Sequence, residues 1–272
     1  MKLDLSKVEF SPKDIRNEIK LPTKLTSDLA YLMGLHLGDG SMNMYKRKTI
    51  DYLISYTGHL IDEEEFHMKI IRTLFKKLFN KKTKLILDKR KNHSSLKTYF
   101  RSKAILTFFN KSLKLPLGSK KGCKIPKIIL NSNIKIKKYF LKGLADTEFC
   151  LTFKKRYRQK HYYPAITFAT ESEFMHKSVV DLLKELHFGL YSLKNYITYR
   201  KGKKLKINTV DLNGLSNLNL WFKEIGFNST KHLTKYQVWK KFGFCPPDTN
   251  IIERRNILKG KTDINSYYGL VA

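Results

Sequence analysis

The chain predicts an α+β fold made of two copies of one helix–hairpin–helix–hairpin–helix unit, αββαββα. Three observations carry that expectation. Two apolar helical stretches, 32–40 and 141–149, each hold small residues one turn apart and end in a carboxylate. Those acids, Asp39 and Glu148, stand 109 residues apart. After each of them, alternating and helical patterns follow in the same order.

The first stretch reads Leu32-Met33-Gly34-Leu35-His36-Leu37-Gly38-Asp39-Gly40, the second Leu141-Lys142-Gly143-Leu144-Ala145-Asp146-Thr147-Glu148-Phe149. Gly34 and Gly38 in one, and Gly143 and Thr147 in the other, are four residues apart and share a helix face. Small side chains there let another backbone come close. If the two helices pack through those faces, Asp39 and Glu148 meet at the end of the pair, where two carboxylates can bind a divalent metal.

A first hairpin is expected after each acid: a polar run to Lys48 with Asp51–Thr57, and Leu151–Arg158 with Tyr163–Thr170. Helices follow at Glu64–Phe79, where Phe66, Ile70, Leu74 and Leu78 recur every fourth residue, and at Glu173–Phe188, through Val179, Leu182, Leu183 and Leu186. Asp62, Glu63 and Glu64 open the first of these and Lys76 and Lys77 close it, which suits the helix dipole. Second hairpins are read at Lys84–Asp88 with Ser95–Arg101 and at Leu190–Tyr199 with Leu205–Leu212. Closing helices fall at Ile105–Leu113 and Leu218–Ile225. A basic loop ends each half, Gly118–Lys121 and Asn228–Lys231, placing Lys120 81 residues after Asp39 and Lys231 83 after Glu148. The organisation is an extension (1–25), two halves (26–130 and 131–244) and a tail (245–272). Pro246-Pro247 stops a helix at the start of the tail, and a helical pattern returns at Ile251–Leu258.

Composition narrows the function. With 272 residues and 42% hydrophobic side chains there is material for a sizeable core. Lys and Arg number 54 against 23 Asp and Glu, a formal charge of +31 that points to a polyanionic partner. Cys123, Cys150 and Cys245 show neither zinc nor disulfide spacing, as expected of a protein in a reducing, intracellular compartment. No apolar run is long enough to span a membrane. The histidines show no repeated ligand spacing, and Trp221 and Trp239 sit on apolar helical faces as expected core residues.

The two acid-ended stretches resemble the signature helices of the LAGLIDADG homing endonucleases, in the single-chain class with two motifs. The resemblance runs from about Thr26 to Pro247. The segments Ile54–Asp62 and Gly226–Pro247 are similar to archaeal intron-encoded members. It implies motif helices packed at an interface and two antiparallel sheets forming a saddle over duplex DNA. It also implies a monomer that needs no obligate protein partner and is cytoplasmic, nucleoid-associated if archaeal. The last acid of each motif, Asp39 and Glu148, with Gly38 and Thr147 before them, would bind Mg2+ or Mn2+. Lys120 and Lys231 would organise the attacking water, with Lys121 and Lys235 as near neighbours. The activity implied is hydrolysis of both strands of a long double-stranded target. Alternatives are an RNA maturase acting on its host intron RNA, or a non-catalytic DNA-binding protein.

His36 and Leu37 depart from the usual motif residues, as does Phe149, which stands where a glycine commonly follows the acid. Gly40 is expected to take a left-handed backbone that Phe149 cannot take cheaply, so the second helix should end differently.

Because successive strand residues face opposite sides, one sheet face should carry the DNA contacts. That face is read as Asn43, Tyr45, Arg47, Lys97, Tyr99 and Arg101 in the first half. In the second half it is read as Thr152, Lys154, Arg156, Arg158, Lys194, Tyr196, Lys206 and Asn208.

Overall fold

Two compact units organise the chain, one from Met1–Leu60 with Glu64–Thr147, the other from Ile61–Glu63 with Glu148 onward. The computed structural model describes residues 1–46, 48–88, 90, 94–200 and 202–269; Arg47 and His93 lie outside the described residues.

The first unit opens with α1 (Pro12–Arg16), α2 (Ser27–Leu37) and a hairpin of β1 (Gly40–Lys46) and β2 (Ile50–His59). A helical run follows, α3 (Leu60–Phe66), a π-helical turn (His67–Ile71) and α4 (Arg72–Phe79). Next come the second hairpin, β3 (Lys84–Asp88) and β4 (Ser95–Arg101), then α5 (Lys103–Thr107), which continues π-helically over Phe108–Ser112. α6 (Lys127–Leu130) and α7 (Ile134–Glu148) complete it, Glu148 itself falling to the second unit. The four strands form one antiparallel sheet in the order β1-β2-β4-β3. Met42, Ile54, Tyr56, Leu96 and Phe100 point from it into a core with Phe75, Phe79, Phe108 and Phe109. Phe75 and Phe100 set the spacing, with ring centroids 4.6 Å apart.

Residues 29–37 of α2 are buried throughout, so this helix is wrapped on all sides. It meets α7 with backbone against backbone. A Cβ on Gly34 would lie 2.6 Å from the amide nitrogen of Leu144, and one on Gly143 would lie 2.9 Å from the carbonyl carbon of Tyr31. The crossing therefore runs through Gly34 and Gly143 alone. Gly38 caps α2 instead, its N–H donating to the Gly34 carbonyl at 3.1 Å, and the Thr147 hydroxyl turns back onto the carbonyls of Gly143 and Leu144. Beside the crossing, the Tyr31 hydroxyl donates to the buried Asp146 carboxylate at 2.5 Å.

In the second unit β5 (Phe149–Lys154) and β6 (Tyr163–Thr170) form the first hairpin, followed by α8 (Glu173–Glu185). β7 (Tyr191–Arg200) and β8 (Lys203–Asn213) form the second, and the sheet order is β5-β6-β8-β7. α9 (Leu215–Glu224), α10 (Thr230–Phe242), α11 (Ile251–Leu258) and a 3-10 turn (Ile264–Tyr268) close the chain. The expected duplicated αββαββα order is present, and the tail helix falls at Ile251–Leu258 as the pattern suggests. α10 is an addition: the basic stretch expected as a loop ends at the N-cap Ser229, and Lys231 already lies in the first turn of a helix. No helix among the described residues is long and apolar enough to cross a membrane.

The two motif helices do end differently, α2 at Leu37 and α7 at Glu148, but the left-handed backbone expected at Gly40 is corrected. Neither Gly40 nor Phe149 has a positive φ, and each begins a strand. What Gly40 supplies is room: a Cβ there would sit 2.6 Å from the Cα of His36. At the corresponding positions of the second copy the sizes are exchanged, with Ala145 for His36 and Phe149 for Gly40. Phe149 is a core residue whose ring stacks on Phe168 at 4.9 Å and lies 5.4 Å from Trp221. No left-handed penalty applies to it.

Candidate metal centre and nucleic-acid interface

α2 starts where the Thr26 hydroxyl accepts the Leu29 N–H at 3.2 Å, and it delivers Asp39, half-buried, directly before β1. Its last carbonyls carry the negative end of the helix. The ammonium group of Lys120 occupies that end, donating to the Leu37 carbonyl at 3.2 Å and also to that of Gly38. A carboxylate and a lysine, 81 residues apart in sequence, are thus gathered at one helix terminus.

His36 lies behind this terminus, fully enclosed, with Nδ1 2.9 Å from the Tyr56 hydroxyl and its ring against Phe109 at 5.0 Å. Burial, then the charge of Lys120, push its pKa down to about 3. The folded pKa lies below the unfolded one of about 6.5, so the unfolded chain binds the extra proton between them. The stabilisation is complete above about pH 6.5 and is lost as the pH falls from there toward 3. At pH 4.5 this one group is expected to have cost about 2–3 kcal/mol. Urea denaturation of wild type and His36→Asn across that range measures it, and equal pH slopes for the two would refute it.

In the second unit Glu148 is exposed at the last turn of α7, and β5 starts at the next residue. α10 brings two lysines near this strand. Lys235 donates to the Leu151 carbonyl at 3.2 Å, and burial holds its pKa below the usual lysine value. Lys231 instead pairs with Glu63 at 3.3 Å. The two halves are therefore not alike: Lys120 sits on a loop against the helix carbonyls before Asp39, Lys231 on a helix against an acid. His232, between the two lysines in sequence, is buried next to Phe227, and its pKa is driven well down by burial.

The sheet faces sort the remaining residues. In the first unit Asn43 is opposite Leu53, and Leu53 opposite Arg101, so both polar side chains share the open face with Tyr45, Lys97 and Tyr99. Arg101 is braced by Asp51 at 2.7 Å, and Asn43 donates to Ser41 at 3.0 Å. In the second unit Thr152 and Lys154 lie on the open face of β5, where Lys154 reaches Asn213 at 3.4 Å. Tyr196 shares that face, opposite Ile207.

Five expected positions differ. Arg156 and Arg158 lie beyond the end of β5, where their guanidinium groups cover the rings of Tyr163 and Tyr162 at 3.8 and 4.5 Å. Asn208 is 1% exposed and points to the helix side of β8. There it braces a β-bulge: its side-chain oxygen accepts the N–H of Asn195 at 3.0 Å, and its amide donates to the Thr170 carbonyl at 3.3 Å. Lys206 follows the same side and lies 3.7 Å from Glu173, while Lys194 falls in the register break itself. A bulge displaces alternation by one residue, which a period-two reading of the sequence passes over.

Among the described residues no group of three or more His, Cys, Asp or Glu side chains is placed to hold a metal. Asp39 instead follows the Leu37 and Gly38 carbonyls at the end of α2, and Glu148 offers an exposed carboxylate at the end of α7. Such oxygen donors suit a hard cation like Mg2+, which keeps several waters and binds through one or two carboxylates. The donors present fit it.

No protein-family model matches the sequence, and no match is found among curated proteins. Solved structures do match. The LAGLIDADG homing endonuclease I-GzeII in complex with its DNA target superposes with a TM-score of 0.52 at 12% identity, over 92% of this chain and 99% of that one. A variant of I-DmoI, in complex with nicked target DNA in the presence of Mn, gives 0.51 at 20% identity, over 75% of this chain and 97% of its own. I-DmoI with DNA and Ca gives 0.50 at 17% identity. At these identities what is shared is the fold.

Proposed function

We propose, taking that shared fold as premise, that the chain is a monomeric, site-specific homing endonuclease that hydrolyses both strands of a long duplex target. The observation that carries this reading is the end of α2. There a half-buried carboxylate, a lysine on the helix carbonyls and the first strand of an open polar sheet face succeed one another. We read the halves as 26–130 and 131–244.

Asp39 in one copy and Glu148 in the other would hold Mg2+ or Mn2+, with the Gly38 and Thr147 carbonyls beside them. The metal when bound supplies charge stabilisation at the phosphate and lowers the pKa of water. Lys120 would keep a positive charge beside the phosphate that Asp39 addresses and orient the attacking water. Lys231 is assigned the matching part, with Lys235 one helical turn further along α10. Asn43, Tyr45, Lys97, Arg101, Thr152, Lys154 and Tyr196 would meet the groove, where Arg and Lys pair with guanine and Asn with adenine. Arg156 and Arg158 would hold backbone phosphates from the turn after β5.

Selection of cleaved sequences from a randomised duplex library tests the reading. Discrete double-strand cuts are expected with magnesium, and binding without cutting with calcium. Tight binding with no cut under either ion would overturn the endonuclease in favour of a maturase or regulator.

A further inference from the structure

The extension before α2 has no counterpart in the repeat, yet it is docked firmly. Asp14 on α1 is 1% exposed and takes hydrogen bonds from both sides. Its carboxylate accepts from the Ser11 and Ser102 hydroxyls at 2.6 Å each, and from the N–H groups of Lys103 and Ala104 at 3.1 Å. Burial alone would raise its pKa, but these donors together outweigh that and hold it below the usual aspartate value. A second attachment joins the extension to the end of α4. The Lys20 N–H donates to the Phe79 carbonyl at 3.1 Å, and the Asn80 side chain donates to the Glu18 carbonyl at 3.3 Å.

Between those two attachments lies an open basin of about 380 Å³. Its walls carry Lys13, Lys76, Lys81, Lys82, Lys84 and Arg101, and no carboxylate. Lys13, Lys82 and Lys84 are exposed, and Lys84 and Arg101 also belong to the open sheet face. The basin therefore continues that face around its β3 edge. Asp51 balances Arg101 at 2.7 Å, but crowding the exposed Lys13, Lys82 and Lys84 around one basin is unfavourable unless an anion compensates them.

We propose that the N-terminal extension builds a duplex-DNA backbone clamp, which takes phosphates flanking the bases read by the first sheet. The proposal rests on the DNA-binding part of the reading above and not on cleavage. Position sets where the clamp acts. Lys84 is three strands across from β1, about 14 Å, and Arg101 is level with Asn43, about 13 Å along the strand from Asp39. The basin is thus about 20 Å from the motif acid, which corresponds to about 6 base pairs of duplex.

The experiment uses the full chain and a duplex selected for binding in calcium. A Lys13→Gln, Lys82→Gln, Lys84→Gln triple variant is compared with a Lys223→Gln, Lys240→Gln, Lys259→Gln variant that removes as much charge elsewhere. Each lost phosphate contact lowers the slope of log K against log salt by about 0.9. A decrease of about 2–3 is expected for the basin variant alone, with loss of phosphate protection on one side of the site beginning about 6 base pairs from its centre. Asp14→Ala, which releases α1 from its dock, is expected to lower the slope by the Lys13 share alone, about 0.9. Equal slopes for wild type and basin variant overturn the clamp, and so does an equal decrease in the control variant. A wild-type chain that binds no duplex overturns the clamp and the endonuclease reading together. A binding wild type with an unchanged basin slope overturns the clamp alone.

Discussion

Asp39→Asn and Glu148→Gln are each expected to abolish double-strand cleavage while leaving DNA binding intact. Both substitutions keep the shape of the side chain and remove its charge. A hard cation held by carboxylate oxygen loses most of its affinity when the oxygen becomes an amide's. Transition-state charge stabilisation by such an ion is worth several kcal/mol, so the affected strand should be cut about a thousandfold more slowly. Binding should hold or tighten, because a negative charge next to phosphate is removed from a chain of formal charge +31. A supercoiled plasmid carrying the selected site, assayed for linear and nicked product in magnesium, reports both strands at once. Full linearisation by both variants would overturn the site assignment.

Much of the fold was legible because its signals are local. β3 and β4 fall at Lys84–Asp88 and Ser95–Arg101, where alternation marks them, and α11 falls at Ile251–Leu258 after the paired prolines. The crossing at Gly34 and Gly143 was legible for a stronger reason: only a residue without Cβ lets two backbones come so near. The alternation rule also placed Asn43, Lys97 and Thr152 correctly on their faces. It failed at Asn208 and Lys206, because the extra residue in β7 sets Tyr196 opposite Ile207 and so on the other face from both. It failed again after Lys154, where Arg156 adopts a positive φ of 46° and the strand has already ended.

The candidate site was less legible, since its contacts span long separations. Asp62 and Glu63 read as ordinary acids at a helix start, satisfied by the dipole. In the fold they have partners 192 and 168 residues away, Asp62 with Arg254 at 3.0 Å and Glu63 with Lys231 at 3.3 Å. Nothing in composition or period announces such pairs. The same is true of Gly40, whose expected role was conformational and whose actual role is steric. The exchange of His36 and Gly40 for Ala145 and Phe149 could have been noticed by aligning the two copies. Its meaning needs the His36 ring placed against Phe109 and the Phe149 ring placed against Trp221.

Arg254→Ala is expected to destabilise the second unit by about 3–5 kcal/mol, because it breaks a buried ion pair from one side. Arg254 is 0% exposed. Its Nε donates to the Thr234 hydroxyl at 2.8 Å, one terminal nitrogen to Asp62 at 3.0 Å and the other to the Thr249 carbonyl. Asp62 also accepts the N–H of Ile251 at 2.8 Å, so one carboxylate receives both the arginine and the start of α11. Truncation removes the guanidinium from all three partners and leaves a cavity of its size. Lysine in the same place keeps the charge, but a single ammonium cannot reproduce the planar fork, so Arg254→Lys should recover only part of the loss. Urea denaturation of the full chain should show a lower midpoint for both variants, with alanine the more severe. In an Arg254→Ala, Asp62→Asn cycle the double variant should lose less than the sum of the single losses, since the stranded charge is gone. A loss under about 1 kcal/mol for alanine would show that the pair contributes no more than an exposed one. The chemistry would feel the same change. Thr234 lies on α10 between Lys231 and Lys235, so the tail that carries Arg254 fixes the helix bearing both lysines, and its loosening should slow one strand's cleavage before it weakens binding.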